Sequence, residues 1–161
     1  MTTQQFNELV DMYSDGLYRF AMKNLRDDDD AQDVVQNTFE AIWKNRDNIN
    51  PEKLKSYAFT TCYHQIIDHV RRSQKQDKLE AKHERVAVNH KSFTGAKEII
   101  DQALRQLPEV QRSVVMLRDY EGYHYDEIGE ITGLSESQVK VYIFRARQTL
   151  KTLIGNIENV L

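Results

Sequence analysis

The sequence predicts an all-α protein: two small helical domains joined by a flexible linker, the C-terminal one containing a helix-turn-helix. Three observations carry that expectation. The 161 residues include only 2 prolines and 6 glycines, so helices can run without interruption. Apolar residues recur at i, i+3, i+4 and i+7 through most of the chain, the spacing of one helix face. Between 73 and 94 that spacing dissolves into SQKQDKLEAKHERVAVNHKSFT, which reads as a linker. The expected division is 1–75, a linker over 76–95, and 96–161.

Phe6, Leu9, Val10, Tyr13, Leu17, Phe20 and Leu25 place the first amphipathic helix. The acidic run Asp27 to Asp30 breaks it and suits the start of the second, where carboxylates complement the helix dipole. Val35, Thr38, Phe39, Ile42 and Trp43 give that second helix its apolar face, and NRDNINPE follows as a loop. A third helix is expected from about Lys53 to Gln74, burying Phe59, Cys62, Ile66 and Val70. Beyond the linker, Ile99, Ile100, Ala103, Leu104 and Leu107 mark a fourth helix. Pro108 then opens a fifth with Val110, Val114, Val115 and Leu117. EGYHY is a loop and YDEIGEIT a short sixth helix.

Composition narrows the function classes. The lone Cys62 excludes an internal disulfide framework and a cysteine-based zinc site. No apolar run approaches the roughly 20 residues that span a bilayer, and MTTQQFNELV lacks a signal-peptide layout. A soluble, cytoplasmic protein without membrane insertion is expected. Two halves of under about 80 residues would each be marginal alone. The net charge is −3, unevenly distributed. Lys/Arg against Asp/Glu number 5 to 10 over 1–50, 8 to 5 over 51–85, 5 to 8 over 86–133 and 4 to 2 over 134–161. Weakly basic patches thus alternate with acidic ones.

Catalysis finds little support. His64 and Asp68 share a helix face at i, i+4, but no third ligand has fitting spacing, and no phosphate loop or nucleophile motif is present. The expectation is no catalytic residue, no metal and no cofactor.

The stretch ITGLSESQVKVYIFRARQTLK carries the clearest chemistry. Gly133 suits a helix C-terminus that needs positive φ, and Ser135 with Gln138 has capping-box spacing. Val139, Ile143, Ala146, Leu150 and Leu153 point inward, leaving Ser137, Gln138, Lys140, Val141, Tyr142 and Arg145 on or near the opposite face. The first turns of such a helix are what a recognition helix inserts into the major groove. Lys and Arg reach guanine or phosphate, Gln reads adenine and Val touches a thymine methyl. The competing reading is a helical hairpin with a solvated face.

LPEVQRSVVMLRDYEGYHYDEIGEITGLSESQVKVYIFRARQTLK resembles the promoter-binding C-terminal domain of bacterial RNA polymerase sigma factors, in the extracytoplasmic-function group of the sigma-70 family. DDAQDVVQNTFEAIWKN resembles that family's core-polymerase-binding helix, and LKSYAFTTCYHQIIDHVRRSQKQ its −10 recognition helix. The resemblance implies that 1–75 is sigma region 2 and 96–161 sigma region 4. By the same resemblance Asp33, Gln36, Asn37 and Glu40 would dock the clamp helices of the polymerase β′ subunit. Tyr57, Thr61, His64, Arg71 and Arg72, with the loop Asn48 to Lys53, would hold a melted −10 strand. The exposed face of the last helix would read the −35 element, with its domain resting on the β flap. Tyr57 stands where the family often has tryptophan, His64 where it often has asparagine, and Tyr142 where a basic residue is frequent. The implied partners are core RNA polymerase, promoter DNA and an anti-sigma factor able to hold the protein at the bacterial inner membrane. Acidic segments would then lie near polymerase and basic ones near promoter. Two other readings stay open: a stand-alone helix-turn-helix regulator of the two-component or LuxR type, and a purely protein-binding helical module. The first 75 residues lack the βαβ alternation a regulator's receiver domain needs.

Overall fold

The computed structural model describes residues 1–79 and 95–160, with side chains to residue 155 in the last helix. Seven α-helices and two short 3-10 turns, and no strand, make up the described residues. Most of the expected linker, 80–94, lies outside them.

Helix α1 (Thr3–Leu25) starts with a capping box: Thr2 Oγ1 accepts from Gln5 N at 3.1 Å, and Gln5 Oε1 accepts from Thr2 N at 2.9 Å. It ends at Arg26, whose φ of 61° is left-handed. Helix α2 (Asp28–Lys44) begins as the acidic run anticipates: Asp27 Oδ1 accepts from Asp30 N at 3.0 Å, and three carboxylates fill the first turn. The following loop is tightened into 3-10 turns at Arg46–Asn48 and Pro51–Lys53. Helix α3 (Leu54–Leu79) runs five residues past the expected end at Gln74. Residues 76–79, assigned to the linker on composition, are helical because α3 continues as a polar extension that needs no apolar face.

In the C-terminal half, α4 (Ala96–Gln106) and α5 (Glu109–Asp119) are separated by Pro108, which sits just before α5. Helix α6 (Tyr125–Thr132) has the expected bounds, and α7 (Glu136–Val160) completes the chain. From Arg112 to Leu117 every residue of α5 is buried, which makes it the centre of this half. Its two polar members are satisfied across the chain: Arg112 Nε donates to Asn24 Oδ1 at 2.9 Å, and Ser113 Oγ to the same oxygen at 3.4 Å.

Those bonds reveal what periodicity could not. The two helical sets pack against each other, α1 on α4 and α5, and α3 on α6. One apolar interior runs from Leu17, Phe20, Phe59 and Ile66 to Met116, Tyr123, Ile128 and Ile143. Leu104, Leu107, Val115 and Ala146 form a smaller cluster between α4, α5 and α7. Halves too small to bury enough surface alone share a core.

Cys62 is fully buried within that interior, and burial pushes its thiol from an ordinary 9.0 up to about 12, only partly offset by a hydrogen bond with Thr38. Burial also raises the Tyr63 and Tyr123 phenols. Each group holds its proton longer folded than unfolded. Their contribution is complete below the unfolded pKa and is lost as pH climbs toward the folded one. The denaturation midpoint should therefore hold from pH 7 to about pH 8.5 and fall above about pH 9. A thiol reagent should label Cys62 only on unfolding. Labelling of the native chain at the rate of a free thiol would contradict this burial.

Candidate nucleic-acid interface

The turn between α6 and α7 is built by three local devices. Gly133 closes α6 in the left-handed region (φ 75°), its N–H donating to Gly129 O at 2.8 Å. Gly129 lets the turn fold back: a Cβ there would lie 2.7 Å from Leu134 O. Ser135 and Gln138 form the capping box, with Gln138 N donating to Ser135 Oγ at 3.2 Å and Ser135 N to Gln138 Oε1 at 3.0 Å. Val139, Ile143 and Ala146 then bury against the body, which includes buried Ile128 and Ile131, fixing the angle of α7 to α6.

This geometry leaves Ser137, Gln138, Lys140, Val141 and Arg145 exposed on α7. Two residues of the expected set are placed otherwise. Tyr142 is half-buried and packs against the core, because its position turns toward the body. Gln138 spends its carbonyl on the cap, accepting also from Ser135 Oγ at 3.2 Å. Lys140 is held loosely, 3.3 Å from Glu136 and with its ammonium 5.6 Å from the Tyr125 ring centroid. Phe144, which the sequence reading left out, is 62% exposed on the side of Ser137 and Val141. Its i+3 spacing from Val141 was the available signal. Arg147 is spent on structure: its guanidinium grips Asp119 of α5 through both oxygens, with Nε at 3.2 Å.

A second polar face lies along α3. Tyr57, Thr61, His64 and Arg71 share one side over about 21 Å of helix, with Tyr57 and Thr61 half-buried and His64, Arg71 and Arg72 exposed. Tyr57 Oη accepts a long hydrogen bond from Asn45 Nδ2 at 3.5 Å. Arg72 stands apart from the other four. It lines a polar groove between α2 and α3 with Asp30, Asp33, Asn37 and His69, where His69 Nε2 lies 3.2 Å from Asp30.

The polar side of α2 is thus divided. Asp33 and Asn37 border that polar groove, while Gln36 and Glu40 rim another on the opposite flank. The second groove, about 850 Å³, has an apolar floor of Phe6, Val10, Val35, Phe39 and Trp43 between α1 and α2. Phe6 meets Trp43 edge-on at 4.9 Å, and Arg46 stacks over Trp43 at 4.1 Å. Val35, Phe39 and Trp43, from the apolar face of α2, are only half-buried because α1 covers one side of them.

Residues 9–76 match the family description Sigma-70 region 2, and residues 97–150 match Sigma-70 region 4. The chain belongs to the sigma-70 family. Its relatives place it in the extracytoplasmic-function group. It is 27% identical over 152 residues to the ECF RNA polymerase sigma factor SigM of Bacillus subtilis, covering 91% of this chain and 93% of that one. It is 30% identical over 160 residues to the ECF sigma factor SigE of Mycolicibacterium smegmatis, covering 93% of this chain but 62% of that one. The fold matches the sigma factor RpoE, solved with the anti-sigma factor NepR from Bartonella quintana, with a TM-score of 0.81 at 24% identity over 95% of this chain and 98% of that one. It also matches CnrH, solved with the cytosolic domain of CnrY, at 0.72 and 23% identity, covering 96% and 90%. This sigma factor directs promoter-specific transcription, and it binds core RNA polymerase. The match of its first half to region 2 leaves the stand-alone regulator without support. No helix among the described residues is long and apolar enough to cross a membrane.

The turn that aims α7 depends on two glycines for different reasons. Gly129→Ala should cost about 2 kcal/mol, because a methyl cannot fit against the Leu134 carbonyl. Gly133→Ala should cost about 1 kcal/mol, the penalty of a left-handed alanine in open space. Urea unfolding of both variants measures this, and equal costs would contradict the close approach at Gly129.

Proposed function

We propose that this sigma factor reads its promoter with two exposed faces and holds polymerase with a third. Residues 1–75 act as region 2, 76–95 as a linker whose first four residues continue α3, and 96–161 as region 4. On α7, Ser137, Val141, Phe144 and Arg145 with Lys140 face the −35 major groove, where Arg and Lys reach guanine or phosphate and Val and Phe meet thymine methyls. Gln138 serves mainly as the cap, and Tyr142 as a packing residue beside the reading face. On α3, Tyr57, Thr61, His64 and Arg71 accommodate the melted −10 strand, whose unstacked bases need polar and aromatic partners. Arg72 contributes charge beside that face, from the groove between α2 and α3.

The observation that carries the polymerase role is the groove between α1 and α2. Its apolar floor, rimmed by Gln36 and Glu40, suits a helical element laid into it. On the other flank Asp33 and Asn37 extend the contact that we assign to the β′ clamp helices; region 4 then rests on the β flap. RpoE was solved with the anti-sigma factor NepR and CnrH with the cytosolic domain of CnrY, and we assign this chain an anti-sigma partner too. Co-purification of the chain from its own cells with core polymerase alone would count against that assignment. The chain works in the cytoplasm, with no covalent chemistry of its own.

Run-off transcription with purified core enzyme tests the assignment. Arg145→Ala and Lys140→Ala should each lower promoter-specific transcript about tenfold, the cost of one base or phosphate contact, while core binding persists. Gln36→Ala with Glu40→Ala should do the reverse, lowering core binding first. Unchanged transcript from Arg145→Ala would remove α7 as the reading helix.

A further inference from the structure

We propose that Tyr125 is a positioning residue for promoter reading: its ring aims the Lys140 ammonium at one base pair of the −35 element and so sets sequence preference there. This role rests on the assignment of α7 to that element. Tyr125 acts on it from α6, without touching a base itself.

Tyr125 is the first residue of α6. It is half-buried against the core, and its helix start is fixed by the His124 N–H, which donates to Glu127 Oε1 at 3.0 Å. Two arginines then fix the side chain. The Arg118 guanidinium of α5 stands 4.5 Å from the ring centroid, and Arg118 is itself tied down, donating through Nη1 to Tyr123 O at 2.8 Å. Arg147 of α7 hydrogen-bonds the phenol while Asp119 grips its guanidinium. The ring is thus held both at its face and at its hydroxyl.

Lys140 is the opposite case. Its ammonium is a point charge on a flexible stem, and 56% of the side chain is exposed. Two contacts narrow its range: Glu136 Oε1, one turn back, at 3.3 Å, and the Tyr125 ring, with its centroid at 5.6 Å. The pair with Glu136 joins two exposed groups, where ion pairs are weak and screened by salt. Both of its members sit on α7, so it cannot fix the lysine relative to the rest of the motif. The Tyr125 ring can, because cation–π attraction acts within about 6 Å and the ring belongs to α6. In a helix-turn-helix the first helix crosses the DNA backbone while the second enters the groove. A ring at the start of α6 therefore holds the ammonium relative to the backbone, and hence relative to one base pair. A lysine free to swing meets whichever base or phosphate is nearest and discriminates poorly. Arg145, on the same exposed face, has no ion pair or ring contact among the described residues and serves as the internal control.

Transcription by the chain with core enzyme, on a pool of promoters randomised across the −35 element, tests this. Lys140→Ala should flatten base preference at one position and Arg145→Ala at another. Tyr125→Leu should flatten the Lys140 position about threefold, the scale of an exposed cation–π contact, and leave the Arg145 position unchanged. Loss of folded region 4 would not give that pattern. Tyr125→Phe, which keeps the ring, should retain the preference, and Tyr125→Leu with Lys140→Ala should be no flatter than Lys140→Ala alone. Unchanged preference in Tyr125→Leu, equal loss at every position with helical content intact, or independent losses in the double variant would each overturn positioning by Tyr125. So would a Lys140→Ala chain with unaltered preferences, since a lysine on phosphate alone needs no aiming at a base. If Arg145→Ala alters none either, the assignment of α7 falls too; if it does alter one, only the role of Tyr125 falls. Should Tyr125→Leu lose helical content, proton NMR of the unmodified chain decides. The Lys140 ε-protons should resonate upfield of an ordinary lysine under the Tyr125 ring current, and unshifted resonances would refute the contact.

Discussion

Phe59 is where the two halves of this sigma factor become one body. Its ring meets Phe20 of α1 edge-on at 5.9 Å and Tyr123, just before α6, at 5.5 Å. Helix α3 therefore packs against α1 and α2 through its inner stripe and against α6 through the same side. Its opposite side carries Tyr57, Thr61, His64 and Arg71, with Tyr57 still packed against the edge of the core. The two α3 faces are coupled by helix geometry alone: what the core demands of Phe59, Cys62 and Ile66 dictates where the polar face, assigned above to the −10 strand, points.

Charge is used twice in this chain, locally and between its two halves. The acidic run at Asp27 to Asp30 caps and polarises α2, the helix assigned to polymerase. Asp101 and Glu121 pair with Lys23 and Arg19 of region 2, and Asp119 holds Arg147 of α7. Those carboxylates neutralise cations within the chain. On α7, Arg145 and Arg147 are both exposed, but the Arg147 guanidinium is held by Asp119. The modest positive charge near the reading helix makes free binding to DNA weak and salt-sensitive. Specific reading then depends on polymerase raising the effective concentration of both faces at once.

Whatever a few neighbouring residues determine was legible in the sequence. The αL closure at Gly133, the Ser135–Gln138 box, the bounds of α6 and the carboxylate start of α2 are each set within four residues, and each is found as expected. The failures are those of a one-dimensional view of a packed body. Periodicity gives a helix an inner and an outer side but not the angle at which neighbours cover it. Periodicity therefore does not show that Tyr142 is half-buried and Phe144 exposed, nor that α1 covers only one side of Val35, Phe39 and Trp43. That Gln138 can cap was read, but not that capping occupies its carbonyl. The contact between the two halves was invisible for a stronger reason. Arg19 to Glu121 and Asn24 to Arg112 join residues about a hundred positions apart, and nothing local records such a pairing.

We assign to this one chain two reading faces that engage DNA together only on polymerase. Hydroxyl-radical footprinting on a cognate promoter tests this most directly. Core enzyme with the chain should protect two patches about 85 Å apart along the duplex, while the chain alone at the same concentration protects no such pair. A single protected patch with core enzyme present, or paired protection by the chain alone, would contradict it.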